Sequence, residues 1–213
     1  MGEIILVRHG QANSTARDEE SYDRLSDLGR RQAAWLGEWL GDREKPFDLV
    51  LSGSLNRHVG TAEAMGQTPE IDPRLNEMDY FNLSRALTES RGMEPASQGD
   101  FAIHIADVME AWHRAEILGN ETFDAFEARV TSVLAEAAAP GRRVLCITSG
   151  GVIGMVIRSL LRLDPTRMAH VLLPILNTSV HRVEVMPHGT ILAGFNAVPH
   201  LEAPDRVHAR THY

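Results

Sequence analysis

Hydrophobic residues along this chain occur in two arrangements that indicate two kinds of secondary structure. Short continuous runs are typical of strands buried on both faces, and apolar residues recurring every three or four positions are typical of helices. Because strand and helix patterns alternate, the sequence predicts an α/β fold with three layers, in which helices cover both faces of a mostly parallel central sheet. The expected parallel strands are residues 4–7, 47–52 and 144–148.

Local signals mark where several helices begin and end. Ser26 has the short polar side chain of an N-cap, and Gly41 is expected to end the helix that follows it. The last helical stretch is apolar nearly all round, which predicts deep burial, and Pro165 is expected to close it. The predicted helices cover residues 26–40, 54–65, 101–112, 123–134 and 152–163.

The C-terminal part of the chain predicts a strand pair and a surface tail. Residues 180–185 and 190–197 surround a Pro-His-Gly turn, which favours a hairpin. The polar tail that begins at His200 is expected to lie on the surface. His208 and His212 have the spacing of metal ligands on a helix, but no third ligand accompanies them, so we predict no metal site.

The stretch between residues 79 and 120 is the least regular part of the sequence. Its first half is dominated by polar residues and gives only a weak periodic pattern. We interpret this stretch as an insertion that lies over the functional site, within a single domain of residues 1–213. A plain surface excursion explains the pattern almost equally well.

Composition narrows the functions that such a fold could carry. The chain has 213 residues and a formal net charge of −8, which argues against general nucleic-acid binding because a phosphate backbone needs a broad cationic surface. Lys45 is the only lysine and lies outside any glycine-rich loop, which excludes a Walker A motif. Positive charge is therefore almost entirely arginine, whose forked side chain matches phosphate or carboxylate.

Cysteine usage and hydropathy bear on the compartment. Cys146 is the only cysteine and lies within an apolar run, so we expect it in the core and expect no disulfides. No secretory pattern opens the chain, and the longest apolar helical stretch contains Arg158 and is too short for a bilayer. We therefore expect a cytoplasmic protein without a membrane partner; the oligomeric state is not predicted.

Chemically informative residues cluster where the first predicted strand ends. Arg8, His9 and Gly10 supply a cation, a nucleophile or base, and a residue that permits close backbone approach. In open α/β sheets ligands bind beyond the carboxyl ends of the strands, which is where these residues would lie. The alternative is a polar strand end with Arg8 in a surface ion pair. Arg57 would lie near the end of the second strand, although an exposed helix arginine is the more ordinary interpretation of that residue alone.

Four segments form an ordered series along the chain. They are residues 6–12 (LVRHGQA), 25–33 (LSDLGRRQA), 52–57 (SGSLNR) and 75–77 (LNE). Together they resemble the histidine phosphatase superfamily, whose members have the phosphoglycerate mutase-like fold. In that family the corresponding segments surround the nucleophilic histidine, begin the first helix, carry a second phosphate-binding arginine and carry the proton-donating glutamate.

The resemblance implies a role for each matching residue. His9 would attack phosphorus and form a phosphohistidine that water hydrolyses, while Arg8 and Arg57 hold the equatorial oxygens. Glu77 would protonate the departing alkoxide, with Asp79 as a competing candidate. No metal or cofactor is expected, because the arginines supply the positive charge, and the implied partner is a small phosphorylated substrate. Four further residues would bind the phosphate: Gly10, Asn13, Ser149 and Gly150.

One position departs from the family pattern. The family usually has a second histidine before two glycines at the end of its third strand, whereas this chain has Ser149 before Gly150 and Gly151. Serine donates a hydrogen bond but carries no charge, and losing one transition-state donor commonly lowers the rate by about 10²–10³. His58, next to Arg57, is a candidate for the missing imidazole.

Two classes of function remain open at this point. The first is a metal-independent phosphomonoester hydrolase acting through phospho-His9, with an activity that Ser149 could reduce. The alternative is a non-catalytic module that binds a phosphate ester or a phosphoprotein in the same pocket. A phosphomutase ranks third because the sequence offers no clear lid against water. If the phosphate site is otherwise intact and merely lacks one cationic donor at position 149, Ser149→His should raise kcat by about 10–10³.

Overall fold

Six strands and eight α-helices make up the part of the chain that the structure describes. The structure is a computed structural model, and it describes residues 2–13, 15–16, 18–92 and 101–212. In chain order the elements are β1 (Gly2–Arg8), α1 (Glu19–Tyr22), α2 (Asp27–Arg43), β2 (Leu49–Ser52), α3 (Asn56–Ala64), β3 (Glu70–Ile71), α4 (Tyr80–Arg91), α5 (Phe101–His113), α6 (Phe123–Ala137), β4 (Arg143–Thr148), α7 (Gly150–Leu161), α8 (Pro165–Leu172), β5 (Val180–Met186) and β6 (Gly189–Ala197).

The strands form one mixed sheet in the order β3-β2-β4-β1-β5-β6. β4 pairs in parallel with β1 and with β2, and β2 pairs in parallel with β3. β5 lies antiparallel to β1, and β6 antiparallel to β5, as a hairpin. The predicted fold, a mostly parallel central sheet covered by helices, is confirmed.

The hydrophobic core lies on both faces of β1. Ile4 and Leu6 belong to the apolar cluster formed mainly with α5, α6, α7 and α8, whereas Ile5 and Val7 belong to the cluster formed with α2 and α3. Each of these four side chains is at most 2% exposed. Burial of each such side chain contributes roughly 1.5–3 kcal/mol to stability. The continuous apolar run at the N-terminus is therefore the central strand of a sheet that is covered on both sides.

The termini of two helices differ from the prediction. Gly41 does not end α2, which continues to Arg43, because a helix tolerates an interior glycine at a cost of about 1 kcal/mol. Pro165 does not close α7 but begins α8, after the N-cap Asp164. Proline suits the first helical turn, where its missing N–H group would have no partner, so the same residue can mark a beginning. α7 ends instead at Leu161, and its C-cap residue Arg162 adopts a left-handed conformation.

Most described residues of the C-terminal tail lie on the surface, as expected, but three of its residues are buried. His200, Leu201 and Ala209 are each at most 2% exposed. Gln32 of α2 donates from Nε2 to the carbonyl oxygen of Ala209 at 2.6 Å and to Oγ1 of Thr211 at 2.9 Å. These contacts hold the end of a mostly exposed polar segment against α2, because a backbone carbonyl and a hydroxyl group find partners there.

The region predicted as an insertion, residues 79–120, contains α4 and α5. The helix α4 was not predicted, because only Leu83 and Leu87 along it are buried and the remaining residues give little periodic signal. Asp79 caps this helix by accepting a hydrogen bond from the N–H of Asn82. Residues 93–100 of the region lie outside the described residues. No helix that the structure describes combines the length and hydropathy that a membrane crossing requires.

Candidate active site

The carboxyl ends of β1 and β4 bring the predicted site residues together. Arg8 pairs with Thr148 in the parallel register, and the N–H of His9 donates to the carbonyl oxygen of Thr148 at 2.8 Å. Ser149 follows β4 directly and is the N-cap residue of α7. The site thus lies at one edge of the sheet, beyond adjacent strand ends, as expected for an open α/β sheet.

His9 is held as a neutral imidazole with a defined tautomer. Its side chain is buried, and Nδ1 lies 2.7 Å from the carbonyl oxygen of Gly10. Because a carbonyl oxygen only accepts, Nδ1 carries the proton, and the lone pair is on Nε2. Burial, followed by the charges of Arg57 and Arg8, lowers the pKa of His9 well below its ordinary value. His9 is therefore uncharged and nucleophilic at neutral pH.

Four hydrogen bonds hold the backbone around His9. The N–H of Thr178 donates to the carbonyl oxygens of Arg8 and His9, at 3.1 and 3.3 Å, and Nδ2 of Asn177 donates to that of His9 at 3.3 Å. The N–H of Gly10 donates to Oγ1 of Thr61 at 3.0 Å. Thr61 and Thr178 were not predicted as positioning residues, because neither signals contact with a segment so distant in sequence.

Gly10 and Asn13, both predicted to bind phosphate, lie apart from the pocket lining. A Cβ atom on Gly10 would lie 2.4 Å from the carbonyl oxygen of Gly29, so the close approach that requires glycine here is to α2. Asn13 donates from Nδ2 to the carbonyl oxygen of Ser21 at 2.9 Å. The structure therefore gives both residues contacts that shape the loop after His9.

Arg57 is fully buried at the start of α3, and only one of its three guanidinium nitrogens has partners. Nη1 contacts Oε1 of Glu19 at 2.6 Å and Oδ1 of Asp23 at 3.1 Å. Nε and Nη2 are buried and have no partner. An unsatisfied buried donor costs about 1–3 kcal/mol, and more when it is charged, so these two nitrogens are available to bind an anion.

Arg8 contributes another free donor to the same place. Its Nη1 donates to the carbonyl oxygen of Ile175 at 2.5 Å, which orients the guanidinium group. Its Nε is buried without a partner and lies 3.8 Å from the position that a Cβ atom on Gly150 would occupy. Three guanidinium nitrogens from two arginines that line the same pocket therefore remain without a partner.

Acidic residues of α1 and its C-cap complete the surroundings of Arg57, and the sequence analysis did not identify them. Asp23 accepts hydrogen bonds from the backbone N–H groups of Asn56 and Arg57, at 2.9 and 3.0 Å, and so caps α3 from outside. Glu19 lines the pocket. The acidic residues in the polar segment after the first strand were the only available signal, because nothing in the sequence pairs them with Arg57.

His58 and Ser149 are in direct contact, although they belong to different elements. Nε2 of His58 lies 2.6 Å from Oγ of Ser149, and both residues are fully buried. A Cβ atom on Gly53 would lie 2.2 Å from Nδ1 of His58, so glycine at that position makes room for the imidazole. Burial, followed by the charge of Arg57, lowers the pKa of His58 well below its ordinary value. The ring centroids of His58 and His9 are 5.7 Å apart.

Glu77 lies against the N-terminus of α7 and lines the same pocket as Arg8 and Arg57. Its Oε2 accepts a hydrogen bond from the N–H of Gly151, and its Oε1 accepts one from the N–H of Met78, each at 3.0 Å. Burial raises the pKa of Glu77, against the opposing effects of the Gly151 N–H group and the charge of Arg57. A carboxyl group with a raised pKa is suited to donate a proton.

Arg129 of α6 holds the segment that carries Glu77. Its Nη1 donates to the carbonyl oxygens of Arg74 and Asn76, both at 2.7 Å. Glu121 fixes the guanidinium group from its other side, with Oε1 2.6 Å from Nη2. Asp79, the competing candidate for the acid, instead caps α4 and does not line the pocket.

A pocket of about 280 Å³ opens onto these groups. Of the residues predicted to act in the site, Arg8, Arg57, Glu77 and Gly150 line it. His9 and Ser149 lie behind this lining and are almost completely buried. Among the residues that the structure describes, no group of three or more His, Cys, Asp or Glu side chains could hold a metal ion.

Comparison with known proteins finds one family model that covers most of this chain. The model of the histidine phosphatase superfamily (branch 1) matches residues 4–198. A 2,3-bisphosphoglycerate-dependent phosphoglycerate mutase from Rhizobium etli is 28% identical over 172 residues, which cover 72% of this chain and 77% of that protein.

Solved structures with the same fold have different substrates in their names. A phosphoserine phosphatase from Entamoeba histolytica, in complex with phosphoserine, is 19% identical with a TM-score of 0.69, covering 94% of this chain and 100% of that one. A mycobacterial glucosyl-3-phosphoglycerate phosphatase is 23% identical with a TM-score of 0.62, covering 92% and 98%. At these identities the similarity establishes the fold alone.

Proposed function

This chain belongs to the histidine phosphatase superfamily (branch 1), and from that premise we propose that it is a metal-independent phosphomonoester hydrolase acting through a phosphohistidine on His9. The observation that carries the proposal is the set of free buried donors beside a neutral histidine. Nε of Arg8 and both Nε and Nη2 of Arg57 have no partner. A phosphoryl group presents three equatorial oxygens, which these N–H groups can bind through charge-assisted hydrogen bonds.

The first chemical step transfers the phosphoryl group to the protein. Nε2 of His9 attacks phosphorus while the bond between phosphorus and the ester oxygen breaks. Glu77 gives its proton to the departing alkoxide, which leaves as the alcohol. Burial supports both roles, because it favours the neutral imidazole of His9 and the neutral carboxyl group of Glu77.

The second step returns the enzyme to its starting state. A water molecule attacks phosphorus, the carboxylate of Glu77 takes one of its protons, and the P–N bond breaks. The products are inorganic phosphate and neutral His9. Arg8 and Arg57 stabilise the charge on the equatorial oxygens in both steps, and no co-reactant other than water is needed.

The contact between His58 and Ser149 supports a specific role for the serine. If Nδ1 of His58 carried the proton, a buried N–H donor would be left without a partner, since Nδ1 contacts none. We therefore infer that the proton is on Nε2 and is donated to Oγ of Ser149. The serine hydroxyl is then free to donate its own proton to a phosphoryl oxygen. His58 acts in this account as a positioning residue.

The experiment that tests the proposal measures phosphate release from p-nitrophenyl phosphate by the purified protein, the His9→Ala variant and the His188→Ala variant. His188 lies in the exposed β5–β6 turn and serves as the matched histidine control. We expect turnover by the wild type and His188→Ala, with or without EDTA, and none by His9→Ala with an unchanged circular dichroism spectrum.

Three other outcomes would count against parts of the proposal. Turnover by a folded His9→Ala variant would exclude the phosphohistidine route. Loss of activity in EDTA, restored by a divalent metal, would exclude a metal-independent reaction. Tight binding of vanadate without any turnover would favour the alternative, a module that only binds phosphate esters.

A further inference from the structure

The outer part of the pocket has a different chemical character from its phosphate end. Beyond the two arginines, the lining is mostly aromatic and aliphatic, and it comes from α1, α4, α5 and the end of α8. These elements are separate from the strand ends that carry His9 and Ser149. The side chains that form this apolar wall include Tyr22, Tyr80, Phe81, Ile105, Leu172 and Leu173.

Aromatic contacts make the apolar wall continuous with the phosphate end. The guanidinium carbon of Arg57 lies 5.0 Å from the centroid of the Tyr22 ring. Tyr22 in turn meets Phe81 edge to face, with ring centroids 6.1 Å apart, and Phe81 meets Tyr80 at 6.3 Å. A substrate whose phosphoryl group is bound by Arg57 therefore extends its alcohol part along aromatic surfaces.

Charges in the pocket lining disfavour a second anionic group on the substrate. Among the described lining residues, Arg8 and Arg57 are the cations, and Glu19 and Glu77 are the acids. The free nitrogens of both arginines lie at the phosphate end, and Nη1 of Arg57 is occupied by Glu19 at 2.6 Å. A carboxylate on the alcohol part would find no cation among these residues other than the two arginines at the phosphate end, and the lining adds the carboxylate of Glu19.

We propose, on the basis of the function proposed above, that the substrate is a small phosphate monoester of an uncharged, apolar alcohol. The apolar wall binds the alcohol part, and an aromatic ring suits its surfaces. Glu19 acts as a specificity-determining residue that rejects esters bearing a second anion. This assignment concerns the outer half of the pocket, so it is independent of how the phosphoryl group itself is transferred.

Three esters with primary-alcohol leaving groups test this substrate class directly: benzyl phosphate, ethyl phosphate and 4-carboxybenzyl phosphate. One added methylene in an apolar pocket is worth roughly 10–200-fold in kcat/KM, so we expect benzyl phosphate to exceed ethyl phosphate by at least about tenfold. Because like charges placed together are strongly unfavourable, we expect 4-carboxybenzyl phosphate to fall at least about tenfold below benzyl phosphate.

Two variants connect the selectivity to named side chains. Phe81→Ala should reduce the preference for benzyl over ethyl phosphate by about tenfold, whereas the control Phe195→Ala, on the edge strand β6, should leave the preference unchanged. Glu19→Gln should reduce the difference in kcat/KM between benzyl phosphate and 4-carboxybenzyl phosphate. These assignments would be overturned if Phe195→Ala changed the benzyl-to-ethyl preference as much as Phe81→Ala does. They would also be overturned if Phe81→Ala and Glu19→Gln left the selectivity unchanged.

A binding measurement separates this inference from the proposed function. Calorimetry with benzylphosphonate, ethylphosphonate and 4-carboxybenzylphosphonate requires no turnover, and it should give the same order of affinity. Absence of hydrolysis with this order of affinity would overturn the proposed function and support the ligand class. Hydrolysis of all three esters at similar kcat/KM, or preference for the carboxylated ester, would overturn the ligand class and leave the proposed function standing.

Discussion

Nε2 of His58 lies 2.6 Å from Oγ of Ser149. This contact joins the first turn of α3 to the N-cap residue of α7. Ser149 does not cap its own helix with its side chain. Its hydroxyl group is instead oriented by an imidazole from a different element, beside the nucleophile's ring. We propose that the two residues act as one unit, in which His58 orients Ser149 and the serine hydroxyl donates to the phosphoryl group.

If His58 and Ser149 act as a unit, their substitutions will not be additive. We expect His58→Ala and Ser149→Ala each to lower kcat by about 10–10², with little change in KM, and the double variant to be no worse than either single one. Steady-state kinetics with one aryl phosphate measures this coupling. The buried pair of His181 and Ser179, joined at 2.9 Å, supplies the control, since His181→Ala should lower the melting temperature much more than kcat.

Additive losses for the two substitutions would contradict the unit. The structure also reverses one expectation from the sequence, that Ser149→His alone should raise kcat. An added imidazole at residue 149 would enter the space that His58 occupies, so we expect this variant to lose activity. The double variant Ser149→His with His58→Ala frees the space for the new imidazole, so it should recover part of the activity that Ser149→His loses.

Glu77 should determine how activity declines toward alkaline pH. Because burial raises its pKa, the protonated acid persists above the ordinary range of a glutamate, and kcat/KM should fall as the pH rises through that raised value. Glu77→Gln should abolish this decline for an aryl phosphate and should slow an alkyl phosphate far more, because only the alkyl leaving group needs the proton. Equal losses for both esters, with the decline retained, would exclude Glu77 as the acid.

Buried neutral histidines should make the fold sensitive to acid. Burial lowers the pKa of His200 to about 3, whereas the unfolded chain takes up the proton near pH 6.5. The contribution of His200 to the free energy of unfolding is therefore fully present above pH 6.5 and is lost as the pH falls toward 3. At pH 5 the loss is about 2 kcal/mol. Urea unfolding at pH 7 and pH 5 should show a smaller loss for His200→Gln than for the wild type. An identical loss in both proteins would contradict this assignment.

The sequence sufficed for features that arise from local chemistry. The apolar run of β1 predicted a strand buried on both faces, Ser26 predicted the beginning of α2, and the apolar stretch after Gly151 predicted the buried α7. The burial of Cys146 was predicted on the same grounds and is confirmed. In each case the deciding residues are neighbours in the chain, so their pattern carries the information.

Features that depend on tertiary contact could not be predicted. The pairing of Glu19 with Arg57 joins residues 38 positions apart, and neither side chain signals the other. The burial of His200 depends on partners from other parts of the chain, such as Oγ1 of Thr178 at 2.8 Å from Nε2. The distance between His58 and Ser149 likewise exists only once α3 and α7 have packed on the sheet. The sequence named His58 as a candidate, and the structure supplied its partner.

The phosphohistidine itself provides the most direct test of the account. The purified protein is mixed with ³²P-labelled benzyl phosphate, denatured by alkali within one turnover, digested and analysed by mass spectrometry. The account predicts a base-stable, acid-labile phosphoryl group on the peptide that carries His9, attached to Nε2, and no label in His9→Ala. Continued hydrolysis with no label on this peptide, or with the label on a different residue, would contradict it.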